Sequence, residues 1–279
     1  MVLRGLQTLP YGRRIPAAGK VFSRIIGPGT GWTARANENL CAAFPEMPEA
    51  ERQRIARAVC DNAGRSIAEM YAGDAFLSRV SHLPLEGEGA TTLLAARDEG
   101  RPVVGVTAHF GNYNAARGAI IGHGLDMGSL YKPMRNPLFN EHYEDAMAAL
   151  GGPMFPRNRR GVASMVRHLK GGGMIAILAD LHVGDGAPIP FFGRPAMTAL
   201  TAAELANRYD ALLVPFHGIR NPDGLSFTIR IGPEVPPGTP VERMRALTED
   251  LETLVRRHPE QWFWIHRRWK GASGAAPPR

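Results

Sequence analysis

Cysteine is scarce in this sequence. Cys41 and Cys60 are the only two, and they stand well apart along the chain. Neither belongs to a CxxC pair or lies at a metal-binding spacing from a histidine, so the sequence predicts neither a zinc site nor a framework of disulfides. Such sparse cysteine is typical of a protein kept in a reducing, cytoplasmic setting.

Long apolar runs are absent as well. No uninterrupted stretch approaches the roughly 20 apolar residues that a membrane-spanning helix needs, and the N-terminus lacks the apolar block of a secretory signal. We therefore expect a soluble protein or one bound to a membrane surface. The first 26 residues mix apolar and basic side chains, which suits such a surface. Pro10 and Pro16 are expected to interrupt any single helix there, so a tail packed on the domain is an equally good interpretation.

Positive charge is in excess, with a formal net charge of +7. This favours an anionic partner but does not by itself separate nucleic acid, acidic phospholipid and an acidic carrier protein. The sequence has no basic helix with base-reading spacing and no finger or aromatic platform, so we expect no nucleic-acid partner. With 44% hydrophobic residues among 279, the chain can bury one substantial core but is short for two full-sized domains.

Short apolar runs alternate with helical patterns through the middle of the chain. Strands are predicted at 102–108, 128–131, 154–155, 174–179 and 211–216, and helices at 48–71, 112–121, 137–150, 162–170, 201–209 and 240–257. This alternation predicts an α/β fold with a mainly parallel sheet and helices on both faces. A turn signal at 221–224 predicts that 225–231 is an antiparallel hairpin partner at the sheet edge.

The same reading divides the chain into three parts. Residues 1–80 are expected to form an N-terminal helical extension and residues 81–270 the α/β domain. Residues 271–279, which are rich in glycine, alanine and proline, are expected to be a flexible tail.

Two polar residues follow strands of the predicted sheet. His109 comes directly after the strand at 102–108, and Asp180 comes directly after the strand at 174–179. Ligands of parallel sheets bind outside the carboxyl ends of the strands, so the two side chains are predicted to converge on a site. A histidine that caps a helix or fills a pocket is the alternative for His109, and a helix or loop cap is the alternative for Asp180.

The run from His109 to Asn114 carries a resemblance. A histidine followed by four residues and an acidic one is the signature of the glycerolipid acyltransferase superfamily, and the chain resembles its branch of lipid A late acyltransferases, the lauroyl and myristoyl transferases. Four further blocks resemble that family in the same order: 37–46, 131–138, 191–198 and 258–270.

The resemblance implies an enzyme that moves a fatty-acyl group from an acyl carrier protein or acyl-CoA thioester to a hydroxyl. The acceptor would be a 3-hydroxyacyl chain on a membrane lipid, most often a lipid A precursor. His109 would be the general base, and neither a metal nor another cofactor would be required. It also implies a peripheral protein at the cytoplasmic face of the inner membrane, with a membrane-proximal extension and the acyltransferase domain at 81–270.

One departure from the family matters for the chemistry. Asn114 stands where the family has a carboxylate, and an amide can orient an imidazole but brings no charge. In serine proteases the equivalent acid-to-amide change lowers turnover about 10⁴-fold. Asp180 could supply the charge, the site could run on a weaker pair of His109 and Asn114, or activity could be lost. We favour Asp180.

Basic residues in loops after the strands are candidates for binding phosphate or carboxylate groups of a headgroup or a carrier arm. These residues are Lys132, Arg157, Arg159, Arg160 and Arg194. Lys132 and Arg194 rank first because they lie inside family blocks, and Asn112 joins them as a polar candidate within the histidine motif. The alternative for each arginine is a solvated surface position.

The tryptophans near the C-terminus, Trp262, Trp264 and Trp269, suit either a membrane-interface belt or core packing, and we expect core packing for at least two of them. His266 has no acid partner nearby in sequence and is expected to be structural. Two alternatives to lipid A acylation stay open. One is O-acylation of a lyso-aminolipid of the ornithine-lipid kind, and the other is a non-catalytic lipid-binding homologue, for which Asn114 is the argument.

Overall fold

The computed structural model describes residues 9–134 and 136–270, leaving out the side chains at 137–139. The expected flexible tail at 271–279 and the first eight residues of the extension lie outside the described residues. Within the described part, no helix is both long enough and apolar enough to cross a bilayer.

A seven-stranded sheet forms the centre of the structure, in the order β1-β9-β8-β2-β5-β3-β4. Its strands are β1 (Leu85–Glu86), β2 (Val103–Thr107), β3 (Met127–Tyr131), β4 (Met154–Pro156), β5 (Met174–Leu178), β8 (Leu212–Arg220) and β9 (Phe227–Ile231). Neighbours in this sheet run parallel except β8 and β9. A separate antiparallel hairpin is made by β6 (Ala187–Phe191) and β7 (Arg194–Thr198).

Helices connect and cover the strands. They are α1 (Tyr11–Val21), α2 (Trp32–Ala43), α3 (Glu49–Met70), α4 (Asp74–Val80), α5 (Ala90–Glu99), α6 (Tyr113–Gly122), α7 (Pro137–Ala148), α8 (Arg159–Lys170), α9 (Thr201–Tyr209) and α10 (Pro240–Arg257). A π-helical turn (Phe22–Ile26) and a short turn (Gly27–Gly29) join α1 to α2, and a 3₁₀ turn (Pro259–Gln261) follows α10.

Apolar side chains cover both faces of the sheet, as the alternation of strands and helices predicts. Successive residues of a strand point to opposite faces. Val103 accordingly packs into the apolar cluster on the side of α6, whereas Val104 packs into the cluster on the side of α9. Leu212 and Leu213 of β8 divide in the same way. The predicted α/β fold with a mainly parallel sheet is confirmed.

The N-terminal helices are joined to the rest of the structure by shared core. In the first contact, Ile15 and Ala18 of α1 pack in one cluster with Ala68 of α3. In the second, residues of α2 and α3 pack with Trp262 and Trp264. Both clusters contain residues from either side of position 80. The domain boundary proposed there stays a prediction.

The expectation that Pro16 interrupts the first helix is wrong. Pro10 stands at the N-cap of α1, but Pro16 lies inside the helix, which continues to Val21. A proline in a helix removes one backbone hydrogen bond. Here Ile15 beside it is fully buried, and the packing of α1 on α3 offsets that loss.

The sheet edge also differs from the prediction. The segment after the 221–224 turn is antiparallel to β8 as expected, but it is not the edge strand, since the two-residue β1 pairs with β9 through Leu85 and Ile229. The β6–β7 hairpin was not predicted, because its strands contain three prolines, which is atypical of strand sequences. Its turn is made by Phe192 and Gly193, both with positive φ (52° and 70°).

Candidate active site

His109 and Asp180 meet at the carboxyl edge of the sheet. The strands before them, β2 and β5, are neighbours, and Thr107 is in register with Leu178. Two hydrogen bonds join the residues: His109 Nδ1 lies 2.9 Å from Asp180 Oδ1, and the backbone N–H of His109 donates to Oδ2 at 2.9 Å. The convergence predicted from strand topology is therefore present.

Asp180 is an ionised carboxylate in a buried position, with a side chain only 2% exposed. Burial by itself raises the pKa of such a group. The charge and hydrogen bonds of His109, together with the indole N–H of Trp262 donating to Oδ2 at 3.0 Å, outweigh burial and hold the pKa of Asp180 below its usual range. Three donors thus fix both carboxylate oxygens.

The imidazole of His109 keeps 28% of its side chain exposed. Burial acts to lower the pKa of His109, but the negative charge of Asp180 and its hydrogen bond dominate and raise that pKa. A carboxylate at Nδ1 accepts, so Nδ1 carries the hydrogen and Nε2 is the basic nitrogen. The ring is close to two aromatic side chains, Tyr113 at 5.9 Å and Phe263 at 5.7 Å between ring centroids.

The C-terminal segment clamps the loop that carries His109. Phe263 donates its backbone N–H to the His109 carbonyl oxygen at 2.9 Å, and Gly111 donates to the Gln261 carbonyl oxygen at 2.9 Å. Gly111 has a φ of +53°, and a Cβ there would lie 2.1 Å from the carbonyl oxygen of Gly218. Only glycine allows this loop to approach β8 so closely.

The side chain of Asn112 makes structural hydrogen bonds to other described residues. Its side chain is 1% exposed; its oxygen accepts the N–H of Asn114 at 2.9 Å and caps α6, while its amide group donates to Glu69 at 2.7 Å. Glu69 is in turn held by two hydrogen bonds from Arg220, at 2.6 and 2.7 Å. The predicted contact of Asn112 with substrate finds no support in these bonds.

Asn114 lines a cavity, and in the described part of the chain no hydrogen bond joins its side chain to the imidazole of His109. Its side chain is 3% exposed, and its carbonyl oxygen has no hydrogen-bond partner among residues 9–134 and 136–270. The cavity lies between the sheet, α6 and α7, and Thr107, Tyr113 and Arg117 contribute to its lining. Nδ1 of His109 already has Asp180 as its partner, so the ring is oriented without the amide.

Arg117 is a buried cation that sequence reasoning missed. Its guanidinium donates to the Gly151 and Met147 carbonyl oxygens near the end of α7, and burial lowers its pKa to about 10. Its Nε has no partner among the described residues. An arginine inside the alanine-rich run of α6 was the available signal, since charged residues are rare on the buried face of a helix.

A second, small cavity lies on the opposite face of the sheet, and Asp180 and Phe191 contribute to its wall. Arg268 also lines it and donates to the carbonyl oxygens of Leu181 and Met197 at 3.0 and 2.8 Å. His217 lines it too; burial lowers the pKa of His217 to about 4, so the ring is neutral there. His217 was not singled out from the sequence, and Arg268 was noted only as part of the 258–270 block.

The core packing expected for at least two tryptophans near the C-terminus is confirmed, and the structural role expected of His266 stays a prediction. Trp262 and Trp264 are 1% and 0% exposed and pack in one apolar cluster. His266 accepts the backbone N–H of His182 at 2.9 Å, a structural contact. What the sequence did not reveal is that the indole of Trp262 reaches Asp180.

The predicted anion-binding cations fall into two groups. Lys132, Arg157 and Arg159 are exposed at the ends of β3 and β4 and at the start of α8, and Arg160 is exposed beside them. Arg194 belongs to β7 and is half-buried, with its guanidinium 5.3 Å from the ring centre of Trp269. Strand order separates the two groups, since β7 is in the separate hairpin.

Comparison with known proteins points to one family. The sequence model described as bacterial lipid A biosynthesis acyltransferase matches residues 1–271. The chain is 26% identical to a lipid A biosynthesis acyltransferase of Haemophilus influenzae, over 93% of this chain and 82% of the relative. It is 26% identical to the lipid A biosynthesis lauroyltransferase of Escherichia coli, over 87% of this chain and 80% of the relative.

The lipid A biosynthesis myristoyltransferase of Escherichia coli is 23% identical, over 94% of this chain and 83% of the relative. Like the others, this match spans both the N-terminal helices and the sheet, so it does not depend on the histidine motif alone. The resemblance read from the sequence is confirmed: this chain belongs to the bacterial lipid A biosynthesis acyltransferases and is an acyltransferase.

Proposed function

We propose that this protein is an O-acyltransferase that moves a fatty-acyl group from an acyl carrier protein thioester to the hydroxyl of a 3-hydroxyacyl chain on a lipid A precursor. We place it at the cytoplasmic face of the inner membrane as a peripheral protein. The observation that carries the proposal is the pair of His109 and Asp180, in which a buried carboxylate holds Nδ1 of a partly exposed imidazole. Family membership supports the reaction class.

His109 acts as the general base in the proposed reaction. Its Nε2 takes the proton of the acceptor hydroxyl while the oxygen attacks the thioester carbonyl carbon. The tetrahedral intermediate then collapses, the C–S bond breaks, and the leaving thiolate takes the proton back from Nε2. An ester and a free thiol result. Asp180 stabilises the imidazolium that exists between these two proton transfers.

Asp180 fills the role that a carboxylate at position 114 has in the usual motif. Its charge lies at 2.9 Å from Nδ1, and its remaining oxygen is held by the His109 N–H and Trp262. We therefore assign Asn114 to the wall of the neighbouring cavity rather than to proton transfer. A site with this partner needs no carboxylate at position 114.

Three backbone N–H groups next to the imidazole are not free to stabilise the oxyanion of the intermediate. The N–H groups of His109, Gly111 and Asn112 already donate within the protein, to Asp180, Gln261 and Gly218. A side chain or another amide must therefore stabilise the developing charge, and we keep Lys132 and Arg194 among the candidates for binding anionic groups.

The extension at 1–80 is proposed to lie next to the membrane. Ile25 in the π-helical turn is 67% exposed and Leu9 is 38% exposed, with Arg24 and Lys20 exposed nearby. Large apolar side chains beside cations suit the headgroup boundary of an anionic bilayer. The positive net charge of the chain acts in the same direction.

The test is an acylation assay with purified protein, an acyl carrier protein thioester and a lipid A precursor with free 3-hydroxyacyl chains, read by mass spectrometry. A parallel reaction contains a lyso-aminolipid that presents the same hydroxyl. We expect one added acyl group on the lipid A precursor and none with the His109→Ala variant. Acylation of the aminolipid alone would replace the acceptor we propose, and no product from either would favour the non-catalytic lipid-binding alternative.

A further inference from the structure

An exposed group of cations lies to one side of the candidate active site. It consists of Lys132 after β3, Arg157 after β4, and Arg159 and Arg160 in the first turn of α8, here called the cationic surface. We propose that this surface docks an acidic acyl carrier protein and so directs the acyl donor into the site. The inference rests on the proposed function and assigns a place for its donor.

Strand order puts the cationic surface at a suitable distance from His109. The strands run β2, β5, β3, β4, and the backbone N–H of Arg157 donates to the carbonyl oxygen of Tyr131 at 2.8 Å, so the ends of β3 and β4 lie side by side. Neighbouring strands are about 4.8 Å apart, which places the end of β4 roughly 14 Å from the end of β2. A phosphopantetheine arm, comparable to about five extended residues or roughly 17 Å, spans that distance.

The arginines at the start of α8 stand where they weaken the helix. The N-terminus of a helix carries partial positive charge, so cations there are unfavourable and acidic residues are preferred. Arg159 and Arg160 occupy the first turn of α8, which has no acidic residue. Asn158 caps this turn by accepting the N–H of Gly161 at 2.9 Å, so the turn is well formed despite the charges. Positions that oppose local stability in this way suit a binding role.

The four cations also have no carboxylate partner among the described residues, with the side chains at 135 and 137–139 outside that description. Some exposed helical arginines elsewhere pair with acids one turn away, as Arg54 does with Glu51 and Arg256 with Glu252, whereas Arg57 and Arg245 form no ion pair among the described residues. On α7, Glu144 is held by Tyr131 and Asn140, and the other two acids, Glu141 and Asp145, are exposed and form no ion pair with the four cations among the described residues. The cationic surface thus presents its charge to a partner.

The apolar residues within this surface favour a protein over a bilayer. Met134 and Val162, which are close in sequence to Lys132 and Arg160, are 36% and 39% exposed, and exposed apolar side chains next to charged ones are a feature of protein interfaces. Ile25 in the extension projects much further, at 67% exposed, and is the better candidate for insertion into lipid. A carrier protein with an acidic face would meet the cationic rim with complementary charge.

The experiment compares a double variant, which carries both Arg159→Glu and Arg160→Glu, with the wild-type protein. Each protein is assayed with two donors of the same acyl group. One donor is the acyl carrier protein thioester and the other is the acyl-pantetheine thioester, which lacks the carrier. We expect the KM for the carrier-bound donor to rise on the order of tenfold, because like charges would now face each other, and the KM for acyl-pantetheine to change little. Glutamate suits a helix N-terminus, so the melting temperature should stay equal or rise.

A matched control changes the same charge elsewhere: Arg57→Glu with Arg245→Glu, on exposed positions of α3 and α10. It should leave both KM values near wild type. The proposal would be overturned if the two double variants changed the KM values equally, or if the Arg159/Arg160 variant changed the KM equally for both donors. It would also be overturned if that variant lost binding to anionic vesicles while its KM for the carrier-bound donor stayed at the wild-type value. If wild type transfers no acyl group from either donor, the proposed function fails first, and calorimetric titration with the holo carrier protein then decides the docking surface. Binding to wild type that weakens in the Arg159/Arg160 variant supports the surface, and no binding overturns it.

Discussion

Asp180 accepts hydrogen bonds from three donors while it is almost fully buried. Two of these donors come from His109, one from its ring and one from its backbone, so the carboxylate controls both the charge and the position of the imidazole. Asn114, at the position expected from the family motif, lines a neighbouring cavity, and its carbonyl oxygen is buried without a hydrogen-bond partner among the described residues. At this scale we propose that Asp180, which follows another strand, takes the role of the acid of the motif.

Replacing Asp180 by asparagine should therefore be far more harmful than replacing Asn114 by alanine. Asp180→Asn keeps the shape but removes the charge opposite the imidazolium, and we expect kcat/KM to fall about 10³- to 10⁴-fold. Asn114→Ala should lower it less than about tenfold, since the side chain makes no bond to the ring. Steady-state kinetics measure both, with circular dichroism to check folding. Comparable losses in the two variants would contradict the assignment of Asp180.

The pH dependence of the reaction should report the same pair. The base must be neutral, so kcat/KM should fall as the pH drops through the pKa of His109, which Asp180 holds above 6.5. In Asp180→Asn the stabilising charge is gone while burial remains, so the acidic limb should move to lower pH. Residual activity of the variant and NMR titration of the His109 ring both measure this. A shift towards higher pH would be inconsistent with the proposed electrostatics.

The ion pair of Glu69 and Arg220 organises whole elements around the site. It joins α3 to the end of β8, with side chains 0% and 6% exposed, and its carboxylate also receives the amide of Asn112 at the start of α6. Asn62 and Ser66 of α3 accept further hydrogen bonds from the same guanidinium. The helix that begins just after His109 is thereby tied to the N-terminal helices.

Glu69→Gln should destabilise the protein strongly, by about 3–5 kcal/mol, because it leaves the buried Arg220 without its counter-charge. Urea unfolding followed by circular dichroism measures the free energy of unfolding. Glu51→Gln is the control, since Glu51 forms an exposed pair with Arg54 on the same helix and should change stability little. A small effect of Glu69→Gln would mean that the pair does not hold α3 on β8.

At the scale of the whole molecule, positive charge is spread over surfaces that we assign to different partners. The cationic surface beside β4 is proposed for the carrier protein, whereas the extension with Ile25 is proposed for the membrane. Two separate surfaces would allow the donor and the lipid acceptor to be bound at the same time. This arrangement suits a reaction whose one substrate is water-soluble and whose other is embedded in a bilayer.

Changing Ile25 to aspartate should weaken binding to anionic vesicles roughly tenfold, since an exposed apolar side chain is replaced by a negative charge. Vesicle sedimentation measures the partition, and turnover of a short, soluble acceptor should stay near wild type. Val241→Asp, at an exposed position of α10, is the matched control. Equal vesicle binding by the Ile25 variant and wild type would remove Ile25 from the membrane contact.

Several parts of this structure follow directly from local sequence pattern. Apolar strands alternating with helical periods predict a parallel sheet, and a parallel sheet places His109 and Asp180 at one edge, because both come at the carboxyl ends of their strands. The ends of the helices were less predictable. The apolar periodicity predicts a helix at 162–170, but α8 begins at Arg159 because Asn158 caps it. The β6–β7 hairpin escaped prediction since its prolines obscure the strand pattern.

By itself the sequence determined the fold class, the family, and the two residues at the heart of the proposed chemistry, because each depends on short-range periodicity or on contiguous motifs. Only the tertiary structure decided that β5 lies beside β2, that Trp262 reaches Asp180 from 82 positions away, and that Asn114 turns to a cavity with Arg117. Periodicity reports which residues are buried, whereas these pairings depend on strand order and on side chains brought together across long loops.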